Sequence, residues 1–335
     1  MQHIILSLIL LCLTVIKAEA CSCGCAPLGN YGIGGPIITT PAYTLPQGKF
    51  VINTNLRYQN VNELTTRDFA RINGIHAHSH DSEMQLTATL GYGLTDDLTL
   101  SLSYPYRFLY GLRTHEEDNS IIDGGNAIGL GDMTLLAKYR FLGKESPCKN
   151  GCSIKKCGNN HLQAALLAGI KMPTGQTNER DVDGSQLRAD EQPGTGSWDP
   201  VMGLAFSLPV NSFSFDANAN YRLSTQGIQQ TTVGDTINFN TAVTYNFQSY
   251  QVLGQSIKPA AVVELNGIWQ ERVESQGTKD NGHGGLVMFI SPGLRAAIND
   301  YTIINLLVGL PIISDLNGSQ PGTGIQLFAG LSRIF

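Results

Sequence analysis

The sequence predicts an all-β protein: a transmembrane, antiparallel, up-and-down β-barrel of about twelve strands, preceded by a signal peptide. Three observations carry this. Apolar and polar residues alternate at period two along nearly the whole chain. The connections between the alternating stretches are short on one side and long on the other. The chain finishes in mid-strand on an aromatic residue, "IQLFAGLSRIF" (Ile325 to Phe335), where soluble domains finish in a polar tail.

The first stretch, "MQHIILSLILLCLTVIKAEA", has an apolar core from Ile4 to Ile16, too short to cross a bilayer as a helix. Ala18-Glu19-Ala20 is a small-x-small site, so residues 1–20 read as a secretory signal cut before Cys21. Lipidation of Cys21 is the rival reading. Residues 21–48 form a Cys-rich, then Gly/Pro-rich segment, and 49–335 the barrel. The net charge of −5 and the lack of a basic run exclude a nucleic-acid partner.

The predicted strands are 49–60, 83–94, 98–112, 133–142, 161–174, 199–210, 213–224, 236–247, 259–272, 286–299, 302–314 and 325–335. In "LTLSLSYPYRFLY", Leu98, Leu100, Leu102, Tyr104, Tyr106, Phe108 and Tyr110 share one face, and Thr99, Ser101, Ser103 and Arg107 the other. "FSFDANANYRLS" and "TINFNTAVTYNF" repeat the pattern. Each stretch is near the ten residues that a tilted membrane strand needs. Turns at 95–97, 211–212 and 300–301 are short; connections 61–82, 113–132, 175–198, 225–235, 273–285 and 315–324 are long. With an even strand number both termini fall on the short-turn, periplasmic side. Phe335 is then the periplasmic end of the closing strand, available to the barrel assembly machinery. Tyr58, Tyr92, Tyr139, Phe141, Tyr245 and Phe247 gather at strand ends, as aromatic girdles do. A soluble β-sandwich also alternates, but does not account for the signal, the terminal Phe and the loop pattern together.

Four motifs, "LGYGLTDDLTLSLSYPYRF", "GLGDMTLLAKYRF", "AGIKMPTGQ" and "AGLSRIF", come in this order along the chain. As an ordered set they resemble the family of outer-membrane barrels named for the meta-pathway of phenol degradation. The resemblance implies an outer-membrane channel, for small aromatic or hydrophobic compounds. The cysteine segments are not part of it.

If the apolar faces meet lipid, the other face lines the lumen. That lining holds Arg57, Arg107, Lys138, Arg140, Lys171, Arg222 and Arg295 against Glu83, Asp216 and Glu264, a net positive set suited to anions or polarised aromatics. The bland alternative is that these charges pair and fill a small barrel. The segment "APLGNYGIGGPIITTPAYTLPQGK" is either a plug in the lumen or a loose periplasmic lead-in.

Cys21, Cys23, Cys25 and Cys148, Cys152, Cys157 form two triplets that the strand count places on the periplasmic side, His161 lying close to the second. An oxidising compartment favours disulfides; the alternative is a Cu or Zn thiolate site. His76, His78 and His80 in "HAHSHD" alternate along an extended segment, so that three imidazoles can converge on a metal, against the plainer reading of a solvated loop. No cofactor is otherwise implied. Gly-x-Ser-x-Gly and other nucleophile motifs are absent, so an enzyme is not expected. The expected function is an outer-membrane channel for small solutes, in contact with membrane lipid and lipopolysaccharide. The alternative is a metal-handling scaffold.

Overall fold

The computed structural model describes residues 36–62, 77–115, 121–143, 161–280, 282–299, 301–318 and 320–335. The signal peptide, both cysteine triplets and His76 lie outside the described residues.

Twelve strands form the wall: β1 (Phe50–Asn62), β2 (Ser82–Thr95), β3 (Leu98–His115), β4 (Thr134–Leu142), β5 (Gln163–Lys171), β6 (Asp199–Val210), β7 (Phe213–Arg222), β8 (Thr236–Asn246), β9 (Gln255–Gln270), β10 (Gly285–Ile298), β11 (Thr302–Leu316) and β12 (Gly322–Ile334). Each pairs antiparallel with its neighbour in sequence. β12 then pairs back onto β1, with Val51 opposite Ile334 and Asn55 opposite Gly330, so the barrel is closed. Closure leaves no wall strand with an unpaired edge, which a bilayer requires because its core has no water for free N–H and C=O groups. No helix among the described residues is long and apolar enough to cross a membrane; the strands do the crossing.

Period-two patterning sets which way each residue faces. In β6, Met202, Leu204 and Phe206 are exposed on the outside, while Ala205 and Ser207 are buried within. In β12, Ile325, Leu327 and Leu331 face out, and Gln326, Ser332 and Ile334 face in. The protein is inside-out relative to a soluble domain. Aromatic rings cluster on the short-turn rim: Phe50 packs on Tyr92 with centroids 4.5 Å apart, and Phe213 on Tyr245 at 5.0 Å. Arg333 bends back over the Phe335 ring, 5.7 Å from its centroid, and donates to Thr302 Oγ1 at 3.1 Å.

One predicted loop is partly strand. Ile121–Leu130 pairs with the upper half of β3 and runs into β4 after a break at Gly131–Met133. The stretch "IIDGGNAIGL" is glycine-rich, so its alternation is hard to see; Gly125 has φ +71° and the register slips beside it. On the opposite rim from the short turns, Thr231–Thr232, Glu274–Ser275 and Thr278–Lys279 make a small separate sheet from two predicted loops.

An arginine on the lipid face should expose the orientation directly. Leu204→Arg, at the middle of β6, is expected to cost about 2–4 kcal/mol in denaturant unfolding from lipid vesicles. Val182→Arg, in a long loop, should stay within about 0.5 kcal/mol. Equal effects would contradict the inside-out wall.

Candidate functional site

The described part of the N-terminal segment occupies the lumen. Residues 36–47 bond to β3, β4, β6, β7, β9 and β10, which only a segment inside the barrel can do. The N–H groups of Ile37, Ile38 and Thr39 all donate to the Glu264 carboxylate on β9, at 3.0 Å for Ile38 and 2.8 Å for Thr39; Thr39 Oγ1 adds a fourth contact at 2.8 Å. Further along, Thr40 N–H donates to Asn218 on β7, Ala42 N–H to Ser207 on β6 and Leu45 N–H to Thr99 on β3. In return, Lys138 on β4 donates to the Pro41 carbonyl and Arg295 on β10 to the Pro36 carbonyl, both at 3.2 Å. The segment then turns at Gln47–Gly48 into β1. Leu45 packs on Val51 and Ile334. A Cβ on Gly93 would lie 2.1 Å from the Pro46 carbonyl oxygen, so only glycine admits the chain there.

The opposite half is shaped by the 172–198 connection, which folds inward rather than standing off the rim. Gly131, Gly175 and Gly194 meet backbone to backbone: a Cβ on Gly175 would be 2.7 Å from Gly194 Cα and 2.8 Å from the Gly131 carbonyl carbon. Asp132 locks the crossing, accepting from Gly175 N–H at 2.9 Å, Thr195 N–H at 2.8 Å and Lys171 Nζ at 3.1 Å. Met133 N–H donates to Thr174 Oγ1 and Leu130 N–H to Gln176 Oε1. The "GLGD" and "PTGQ" motifs are thus two halves of one joint. Between this fold-back and the facing wall strands and loops lies a cavity of about 530 Å3. Arg57, Glu83, Arg107, Lys171 and Arg222 line it beside Leu109, Leu112 and Val273.

A charge cluster fastens the fold-back to the connection between β9 and β10. His283 Nε2 lies 2.9 Å from Asp190 and its Nδ1 3.1 Å from Asp280; Arg188 reaches both carboxylates at 3.3 Å. Burial opposes a charge on His283. The hydrogen bond to Asp190 and the charges of Asp190 and Asp280 outweigh it, so its pKa lies above 6.5. Asp280 is held below the ordinary carboxylate range: its burial is outweighed by the Gly282 N–H, His283 and Arg188.

The ten charged positions expected in the lumen fall into three groups. Lys138, Asp216, Glu264 and Arg295 are buried at the level of the N-terminal segment; Asp216 accepts from the Ser207 and Ser214 hydroxyls. Arg57, Glu83, Arg107, Lys171 and Arg222 line the cavity; Arg57 and Arg107 share Glu83 at 2.8 and 3.5 Å. Arg140 lies near the short-turn rim, bonded to Asp97 at 3.0 Å. Lys171 also meets Asp199 at 2.7 Å. Nothing in the sequence singles out Asp132, Asp199 or Gln192; each lies in or beside a stretch that reads as a loop or a strand end. Cys148, Cys152 and Cys157 belong to the connection from β4 to β5, whose flanks Leu142 and Gln163 are on the short-turn rim. His80 lines the cavity; burial, outweighing the nearby Glu83, lowers its pKa. Of His78 only the backbone is described, in Ala77–Ser79 paired with β3. Among the described residues no cluster of three or more His, Cys, Asp or Glu could hold a metal.

Comparison with known proteins agrees with this architecture. The family described as "Putative MetA-pathway of phenol degradation" matches residues 109–310. The chain belongs to that family. The barrel is similar to the COG4313 outer membrane channel from Pseudomonas putida F1, at 15% identity and TM-score 0.57, over 88% of this chain and 98% of that one. The likeness shows the fold. The CymD monoaromatic hydrocarbon channel aligns at 7% identity and TM-score 0.41, over 87% of this chain and 89% of that one, too distant to bear on function. No curated protein matches the chain.

The His283 cluster sets a pH response. A raised folded pKa stabilises below the unfolded value and loses that contribution as pH climbs past the folded one. Hydrogen exchange at 188–192 and 282–284, corrected for its intrinsic pH dependence, should therefore quicken as pH rises from about 6.5 through the raised folded pKa. His283→Gln should remove the step. A flat wild-type profile would contradict the latch.

Proposed function

We propose that the protein is a passive outer-membrane channel for small, weakly polar or aromatic solutes, with a polar lumen of net positive charge. The observation that carries this is the cavity between the inward-folded loop and the barrel wall. Its wall mixes guanidinium groups and carboxylates with leucine and valine side chains, a combination that accommodates a small solute with one polar end. The family's description points to the same class of compound. The size of the cavity, about 530 Å3, lies within the range of small-molecule sites.

In this reading the short-turn rim, with both termini, is periplasmic, and the long loops face the medium and the lipopolysaccharide. Phe335 at that rim is the contact for barrel assembly. The charges within serve the passage and hold the N-terminal segment.

Refolded protein in planar bilayers should give discrete conductance steps, and vesicles containing it should admit small phenols faster than empty ones. Removing residues 36–47 should enlarge the steps severalfold. A barrel that folds yet passes neither ions nor phenols, with or without those residues, would overturn the channel reading.

A further inference from the structure

We propose that Arg222, together with Arg107, binds the carboxylate of a small amphipathic acid inside the cavity. The inference deepens the channel reading, on which it rests, by assigning the charge class of the solute and the residues that read it.

Arg222 closes β7 and lines the cavity. Its Nε is buried with no hydrogen-bond partner, and among the described residues its side chain forms no ion pair. The carboxylates of its neighbourhood are committed elsewhere. Asp199 holds Lys171 at 2.7 Å and accepts from Thr225 N–H at 2.9 Å. Asp132 holds the glycine joint and Lys171. Asp235 accepts from the Tyr221 hydroxyl and from Ser224 N–H. Of the other carboxylates that line the cavity, Glu83 is shared by Arg57 and Arg107, Asp190 is engaged by His283 and Arg188, and Glu191 accepts from the Arg188 N–H at 3.3 Å.

A half-buried cation without a counter-ion is costly, and a planar carboxylate is the anion whose geometry a guanidinium matches with two parallel hydrogen bonds. The remainder of the ligand meets Leu109, Leu112 and Val273, all buried and apolar. An acid with an aromatic or short aliphatic body satisfies both walls. A bare inorganic anion satisfies one, and a neutral aromatic the other.

The test is calorimetric titration of the refolded full-length protein with benzoate, benzamide and acetate. Benzoate should bind at least about tenfold more tightly than either of the others, and its affinity should fall as salt is raised. Arg222→Gln should weaken benzoate about tenfold and leave benzamide unchanged, with Arg222→Lys in between. The proposal is overturned if benzoate shows no binding up to about 10 mM, if benzamide equals benzoate, if acetate equals benzoate, or if a folded Arg222→Gln protein binds benzoate normally. Should that variant not fold, the three wild-type titrations decide alone. Binding of benzoate by a barrel that passes no solute would sink the channel reading and leave the site. Conductance without benzoate binding would do the reverse.

Discussion

The pairing of β12 with β1 is the constraint from which the rest of the structure follows. In hydrocarbon an unpaired backbone group costs several kcal/mol, so a membrane sheet must close. Closure with twelve strands encloses more space than side chains fill; eight strands are about the number at which they suffice. The surplus volume is taken up by chain. Residues 36–47 fill one half, and the 172–198 fold-back narrows the other.

Chain placed inside a barrel brings its own unsatisfied amides. Here the wall supplies acceptors at matching heights: Glu264, Asn218, Ser207 and Thr99 take backbone N–H groups, and Lys138 and Arg295 give to carbonyls. A fully buried carboxylate is expensive, by several kcal/mol. Charge-assisted hydrogen bonds contribute roughly 1.5–3 kcal/mol each, so the three backbone N–H donors and the Thr39 hydroxyl on Glu264 offset that cost. The same carboxylate without the segment would be a charge in a hole. Wall and segment therefore stabilise each other. In the cavity beside the fold-back the wall's charges meet apolar side chains: Arg57 and Arg107 share Glu83, and Arg222 lies in the same lining as Leu109, Leu112 and Val273.

Most of the wall was legible in the sequence because period two is a direct consequence of having lipid on one side and polar contents on the other. Each of the twelve expected strands overlaps an observed one, and the alternation in β6 and β12 is visible residue by residue. Legibility ended where glycine replaces side chains. The arm Ile121–Leu130 and the Gly131–Gly175–Gly194 joint carry no hydrophobic pattern, because what they require is the absence of a Cβ. The interior network was also out of reach, for a different reason. Glu264 was recognisable as inward-facing, but its donors are amides 225 to 227 residues away, and a backbone N–H leaves no mark on a sequence. Likewise His283 is tied to the fold-back by Asp190, on another loop.

The central claim, that residues 36–47 are an integral part of the barrel's interior and held by its wall, is open to one direct measurement. Hydrogen exchange of the Ile38, Thr39, Ala42 and Leu45 amides should be followed in the protein embedded in lipid. The structure predicts protection comparable to that of wall-strand amides, and loss of protection at Ile38 and Thr39 on Glu264→Gln with the wall itself unaffected. Exchange of these amides at the rate of a free chain would contradict it.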